Sequence, residues 1–146
     1  MRVYLDNCCY NRPFDEQTQL KVCLETVAKL AVQLLMATHA LEYAWSDILT
    51  YEVTQNPVRR RRRLILSWKE NAVADVVSDE DVLARGKEFQ QLGVKPKDAL
   101  HLASALRAGC DWFLTTDRGI LNKVEEIEGM RVANPIDFIM KEDANG

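Results

Sequence analysis

The stretch Lys97 to Asp117, KDALHLASALRAGCDWFLTTD, decides how the chain is to be read. Its first half, Lys97 to Ala108, places Ala99, Leu100, Leu102, Ala103, Ala105 and Leu106 nearly all round a helical wheel, the pattern of a central, mostly buried helix. Gly109 stops that helix, and Asp111 to Thr116 is a short apolar run of strand type. Each half of the unit carries an acid at a defined place: Asp98 at the helix start, and Asp117 directly after the strand.

The strand-then-aspartate pattern also opens the chain. Met1 to Leu5 reads as a buried strand followed at once by Asp6, and Asp6 to Pro13 as a loop with turn-forming Asn7 and Asn11. From Asp15 to about Ala37, Leu20, Leu24, Val27, Leu30, Ala31, Leu34 and Leu35 recur at helical spacing on one face, predicting one long helix or two. Leu41 to Trp45 is a second strand, and Ser46 or Asp47 caps a helix that contains Glu52 and ends near Gln55, before Pro57. Five consecutive arginines, Arg59 to Arg63, open a further helix to about Glu70. Ala72 to Val77 is extended, and Ser78 caps a helix from Asp79 to about Leu92 that Gly93 ends. Met130 to Ala133 is a last strand, and Pro135 to Met140 a last helical turn or two. Strands separated by helices imply an α/β/α sandwich with a mainly parallel central sheet.

The chain has 146 residues, 47% of them hydrophobic, and no Pro/Gly/Ser-rich linker divides it, so residues 1–146 are expected to form a single domain. No apolar run is long enough to span a bilayer, and the N-terminal one is too short for a signal-peptide core; a soluble, cytoplasmic protein is expected. Cys8, Cys9, Cys23 and Cys110 have neither CxxC spacing nor a His cluster, which argues against zinc and redox motifs and for free thiols. A net charge of −3 makes no global case for nucleic-acid binding, but charge is segregated: the arginine run stands against acids at Asp79 to Asp81 and Glu125 to Glu128.

In an open parallel sheet, ligands bind beyond the carboxyl ends of the strands. Two predicted strands end there in an aspartate, Asp6 and Asp117. Asp98, at a helix start, adds a third carboxylate, and Glu52 is a fourth candidate, about two turns into its own helix. Taken singly, an Asp at a strand end or helix start is more often a cap or a turn former than a ligand; it is their shared context that points to a site. Like charges about 4 Å apart repel by roughly 4 kcal/mol per pair at an effective dielectric near 20, so several ionised carboxylates in one crevice need protons or divalent cations. Hard oxygen ligands select Mg²⁺ or Mn²⁺, and the chemistry that fits best is phosphodiester hydrolysis.

These residues, in this order, resemble the PIN domain family over almost the whole chain. Val3-Tyr4-Leu5-Asp6-Asn7 resembles its first strand and first acidic ligand, with Asn7 where Ser or Thr is common. Ser46-Asp47-Ile48-Leu49-Thr50-Tyr51-Glu52 is similar to the segment in which a Ser closes the second strand and a Glu follows six residues later; Asp47 and Glu42 compete with Glu52 for that role. Lys97-Asp98-Ala99-Leu100-His101-Leu102-Ala103-Ser104-Ala105 resembles the third acidic motif, and Leu114-Thr115-Thr116-Asp117 the last. Where the family often supplies another Asp shortly after, Arg118, Gly119, Ile120 and Leu121 stand here. The resemblance implies a VapC-like toxin ribonuclease that cleaves single-stranded RNA, with Asp6, Glu52, Asp98 and Asp117 holding Mg²⁺ or Mn²⁺. It further implies a separate antitoxin protein as partner and a homodimer. The alternative is a catalytically degenerate PIN domain that binds RNA or a protein. A phosphatase of the haloacid-dehalogenase type also begins with a strand-end Asp, but it wants a second Asp where this chain has Cys8.

The arginine run reads equally as a grip on phosphates or an acidic partner and as a solvated helix face. His101, one turn after Asp98 on the same helical side, could approach the site but is read first as a satisfied core histidine. His39 carries no signal. Trp45, Trp68 and Trp112 are too scattered for a base-stacking platform and are assigned to the core. Asn11 and Arg12, in the loop after Asp6, are placed within reach of a substrate.

Overall fold

The computed structural model describes residues 1–145. Five strands, β1 (Arg2–Leu5), β2 (Glu42–Ser46), β3 (Ala74–Val76), β4 (Trp112–Leu114) and β5 (Arg131–Ala133), form one sheet in the order β3-β2-β1-β4-β5. Every neighbouring pair is parallel. Parallel strands need crossovers, and helices supply them: α1 (Asn7–Asn11), α2 (Leu20–Ala37), α3 (Asp47–Thr54), α4 (Arg59–Leu66), α5 (Glu80–Gln91), α6 (Pro96–Arg107), α7 (Arg118–Leu121) and α8 (Pro135–Asn145). The expected α/β architecture with a parallel sheet is the one that forms.

β1 lies at the centre, and Val3, Tyr4 and Leu5 are all fully buried, as in a sheet covered on both faces. Alternation along the strands sorts the large side chains. Tyr4 and Phe113 stack with ring centroids 5.3 Å apart on the face that meets His101 of α6. Trp45 and Trp112 meet Tyr10 of α1 and Phe138 of α8. All three tryptophans pack in or against the core, as expected.

Three local expectations are corrected. The segment read as a loop after β1 is helical: the Asp6 side chain accepts from the Asn7 N–H and caps α1, and a 3₁₀ turn, Arg12–Phe14, follows. Asp79, rather than Ser78, caps α5 by accepting from the Val82 N–H.

The third correction concerns α2, which is one unbroken helix beginning at Leu20 rather than Asp15. The residues whose spacing announced it are turned largely outward: Leu20 is 74% exposed and Leu34 65%, and Leu24, Val27 and Leu30 are also exposed. The buried side carries Ala28, Val32 and Met36 together with Glu25, Lys29 and Gln33. Glu25 tolerates complete burial because the Arg12 guanidinium reaches it at 2.8 Å and the Asn134 amide donates to its other oxygen. The helix therefore has two apolar stripes, and the one docked on the domain is the more polar.

Candidate functional site

The strand order reverses direction beside β1: β2 and β3 extend to one side, and β4 and β5 to the other. The crevice at such a switch point lies between the carboxyl ends of β1 and β4, and the residues just beyond those ends are Asp6 and Thr115 to Asp117. The Asp6 N–H donates to the Leu114 carbonyl at 2.9 Å, continuing the ladder one residue past the strand. The Thr115 hydroxyl then ties the two ends together, donating to Asp6 Oδ2 at 2.8 Å and accepting from the Asp117 N–H at 3.0 Å. Asp117 caps α7 by accepting from the Gly119 N–H at 2.7 Å. Both strand-end aspartates are thus helix caps as well as members of one crevice.

Glu52 reaches this crevice from α3. Ser46 ends β2 and caps α3 through the Leu49 N–H at 3.2 Å, which fixes the helix so that Glu52 Oε2 accepts from Asn7 Nδ2 at 3.2 Å. Its rivals are engaged elsewhere. Asp47 accepts from the Ser78 N–H and hydroxyl, both at 2.7 Å, and so pins the loop before α5. Glu42 pairs with Arg2 at the opposite end of the sheet.

His101 is fully buried, yet it is not merely a core residue. Its Nε2 hydrogen-bonds Glu52 Oε1 and lies 3.8 Å from Asp6 Oδ1, while Nδ1 is 2.6 Å from the Tyr4 hydroxyl, itself 2.6 Å from Ser46 Oγ. Burial opposes protonation of His101, but the hydrogen bond to Glu52 and the charges of Asp6, Glu52 and Asp98 outweigh it and raise its pKa. Protonated, it donates Nδ1–H to Tyr4, whose own proton goes on to Ser46. Burial likewise disfavours the Glu52 carboxylate, and the hydrogen bonds from His101 and Asn7, with the charges of His101 and Lys97, pull it below the usual range.

Asp98 sits in the first turn of α6. Burial pushes its carboxyl up to about 7, and the charges of Asp6, Asp117 and Glu52 push in the same direction against the relief from His101. Three of the carboxylates picked from the sequence, Asp6, Asp117 and Glu52, therefore act electrostatically on the fourth, Asp98. Among the described residues, no three His, Cys, Asp or Glu side chains stand close enough to form a ready-made metal cage. The donor set nonetheless fits a hard divalent cation: the oxygens are carboxylate, and Asp6, Asp117 and Glu52 add their charge at Asp98 to the effect of its burial.

His101, Tyr4, Thr115 and Asn7 complete the arrangement, and none was picked as a site residue from sequence. Asn7 and Thr115 do lie beside the acids in the motifs, which is a usable signal. The four cysteines are free, as expected. Among the described residues, no helix is long and apolar enough to cross a membrane.

The sequence model of the PIN domain matches residues 4–127. No curated protein sequence matches the chain. Among solved structures of similar fold is a chain in the crystal structure of VapBC2 from Rickettsia felis bound to a DNA fragment from their promoter, 14% identical, with a TM-score of 0.58 over 92% of this chain and 98% of that one.

Proposed function

The chain belongs to the PIN domain family, and from that premise we propose that it is a Mg²⁺- or Mn²⁺-dependent endoribonuclease that hydrolyses phosphodiester bonds of single-stranded RNA. What supports the reading is that Asp6 is tied through the Thr115 hydroxyl to Asp117 and through Asn7 to Glu52 at the switch point, and that the charges of all three reach the half-buried Asp98. A divalent cation bound by these carboxylates supplies the positive charge that offsets them and the charge developing on phosphate. Asp6, fixed by Thr115 and the Asn7 N–H, and Asp117, fixed by the Gly119 N–H, present oxygens that need little reorganisation. Glu52 is aimed by His101 and Asn7, and one carboxylate of the set would also orient the attacking water.

The role proposed for this activity is that of a toxin with a separate antitoxin protein as partner, in keeping with the likeness to a VapBC2 chain. A homodimer belongs to the same proposal. Leu20, Leu24, Val27, Ala31 and Leu34 alternate spacings of four and three, the a/d seam of a helix that pairs with another helix. Its four large residues are exposed and Ala31 is half-buried, and Lys21 is the one charge at the flanking e and g positions, so two copies can meet without like-charge opposition. Light scattering should give twice the 16.7 kDa of one chain, and Leu24→Glu with Leu34→Glu should return the monomer; a monomeric wild type at high concentration contradicts the pairing.

The alternative, a degenerate PIN domain that binds without cutting, is favoured by Arg118 standing where the family often adds an acid. Incubation with a mixed panel of single-stranded and structured RNAs in Mn²⁺, Mg²⁺ or EDTA separates the two. Metal-dependent products support the nuclease, and binding without products supports the alternative.

A further inference from the structure

A cluster of carboxylates repels the polyanion it is proposed to cut, so a strand of RNA needs a cationic surface continuous with the site. α4 has that character. Arg59, Arg60 and Arg63 are exposed, and among the described residues none of the five arginines of this helix forms an ion pair with a carboxylate. Arginines on a helix surface are stabilised by Asp or Glu one turn away and destabilised by like charge there; here Arg59 has Arg62 and Arg63 one turn on, and the charge is left unsatisfied.

The helix is joined to the acidic crevice by a continuous run of amides. Glu52 accepts from Asn7, Asn11 Nδ2 donates to Asn7 Oδ1 at 3.0 Å, and Asn56 Nδ2 donates to Asn11 Oδ1 at 3.2 Å. Arg62 closes the run by donating to the Asn56 carbonyl at 2.6 Å. Asn7 and Asn11 lie four residues apart on α1, about 6 Å along its axis. Arg61 stacks on Phe14 with its guanidinium carbon 5.4 Å from the ring centre, which holds α4 against the segment following α1. Two of the five arginines therefore anchor the helix, and three remain free to face a ligand.

We propose that the exposed arginines of α4 bind the phosphates of a single-stranded RNA whose chain runs along the asparagine-lined edge to the acidic crevice. The assignment rests on the nuclease reading for its substrate class. Arginine forks bind phosphate oxygens without regard to base identity, so this surface sets affinity and direction, and leaves sequence choice to other contacts.

The test is fluorescence anisotropy of short labelled oligo(U) and oligo(A) on the full chain in EDTA, over a range of KCl, for wild type and the triple variant Arg59→Ala, Arg60→Ala, Arg63→Ala. Arg61 and Arg62 are left in place so that α4 keeps its anchors, and an unchanged thermal melt confirms folding. Loss of three phosphate contacts on a single strand should lower the slope of log affinity against log salt by about 2 and weaken binding by about tenfold or more near physiological salt, equally for both RNAs. Equal affinity and slope in the two proteins overturn the proposal, as does a wild type that binds neither RNA. A poly-glutamate peptide of matched charge that binds wild type more tightly than RNA also overturns it, in favour of an acidic protein partner. Cleavage in Mn²⁺ is scored separately. Cleavage with unaltered RNA affinity in the triple variant removes this inference and keeps the nuclease; arginine-dependent binding by a wild type that never cleaves does the reverse.

Discussion

Asp98→Asn should make the metal-free protein more stable and at the same time make it less responsive to metal. In the fold the carboxyl of Asp98 is raised from 3.8 to about 7 by burial and by Asp6, Asp117 and Glu52. At about 1.4 kcal/mol for each pH unit, that displacement sets a ceiling of about 4 kcal/mol on the strain of holding it ionised. The group is half-buried and the crevice is open to water, so about 2 kcal/mol is the expected effect. The sign follows from the raised value: between pH 3.8 and about 7 the folded chain keeps a proton that the unfolded chain has released, so metal-free stability falls as pH rises through that window and then levels. Asparagine removes the charge. In EDTA at pH 8 the variant should melt about 5 °C above wild type, and the advantage should disappear below pH 4. Saturating Mn²⁺ at about a hundred times its dissociation constant adds about 2.7 kcal/mol to a protein that binds it, so wild type should gain substantially and the variant little. Scanning calorimetry at two pH values, with EDTA or MnCl₂, reads all four states. A variant no more stable than wild type in EDTA at pH 8, or equal gains from Mn²⁺, would refute the electrostatic account of the crevice.

Lys29 is buried on α2 with its ammonium 6.0 Å from the centre of the Tyr10 ring. Burial depresses its pKa from 10.5 to about 8 against a small opposing effect of Cys9. The folded state thus sheds this proton first, and stability should rise as pH increases from about 8 to 10.5. Lys29→Met should stabilise the protein at pH 7 by about 1–3 kcal/mol in urea unfolding, with the gain shrinking towards pH 10; a destabilised variant contradicts this. Glu25→Ala strands the Arg12 guanidinium and the Asn134 amide, and should cost about 3 kcal/mol by the same assay; a loss below about 1 kcal/mol would show that Arg12 is satisfied by Asp15 alone. Tyr4→Phe interrupts the path from His101 to Ser46 and should lower stability by about 1–2 kcal/mol without loosening the sheet, read as a reduced denaturation midpoint at unchanged slope.

The order of strands and helices was legible because parallel strands buried on both faces appear as short apolar runs, as at Val3 to Leu5, followed at once by Asp6, and at Trp112 to Leu114, followed after two threonines by Asp117. Ser46 was a legible cap for the same reason that Asp6 was overlooked as one: a cap announces itself only when the helix after it is long enough to show a period, and α1 has five residues. The orientation of α2 was beyond reach of periodicity. Both of its faces carry apolar residues, and the choice between them turned on Glu25 finding Arg12 and Asn134, the latter 109 residues away. The positions of Asp6 and Asp117 after strands and of Asp98 in the first turn of its helix were legible from the pattern alone. Choosing Glu52 over Asp47 and Glu42 needed the partners that occupy the other two, Ser78 and Arg2, and the roles of His101 and of the asparagine run likewise depend on contacts across 45 residues or more.

The most direct test of the central claim is the single-turnover rate of Mn²⁺-dependent cleavage of one single-stranded RNA by wild type, Asp6→Asn, Glu52→Gln, Asp98→Asn and Asp117→Asn, each shown to be folded. If the four carboxylates form one metal-binding catalytic centre, every substitution should lower the rate by about 100-fold or more while wild type is silenced by EDTA. Cleavage that persists at the wild-type rate in any of the four, or that continues in EDTA, would contradict it.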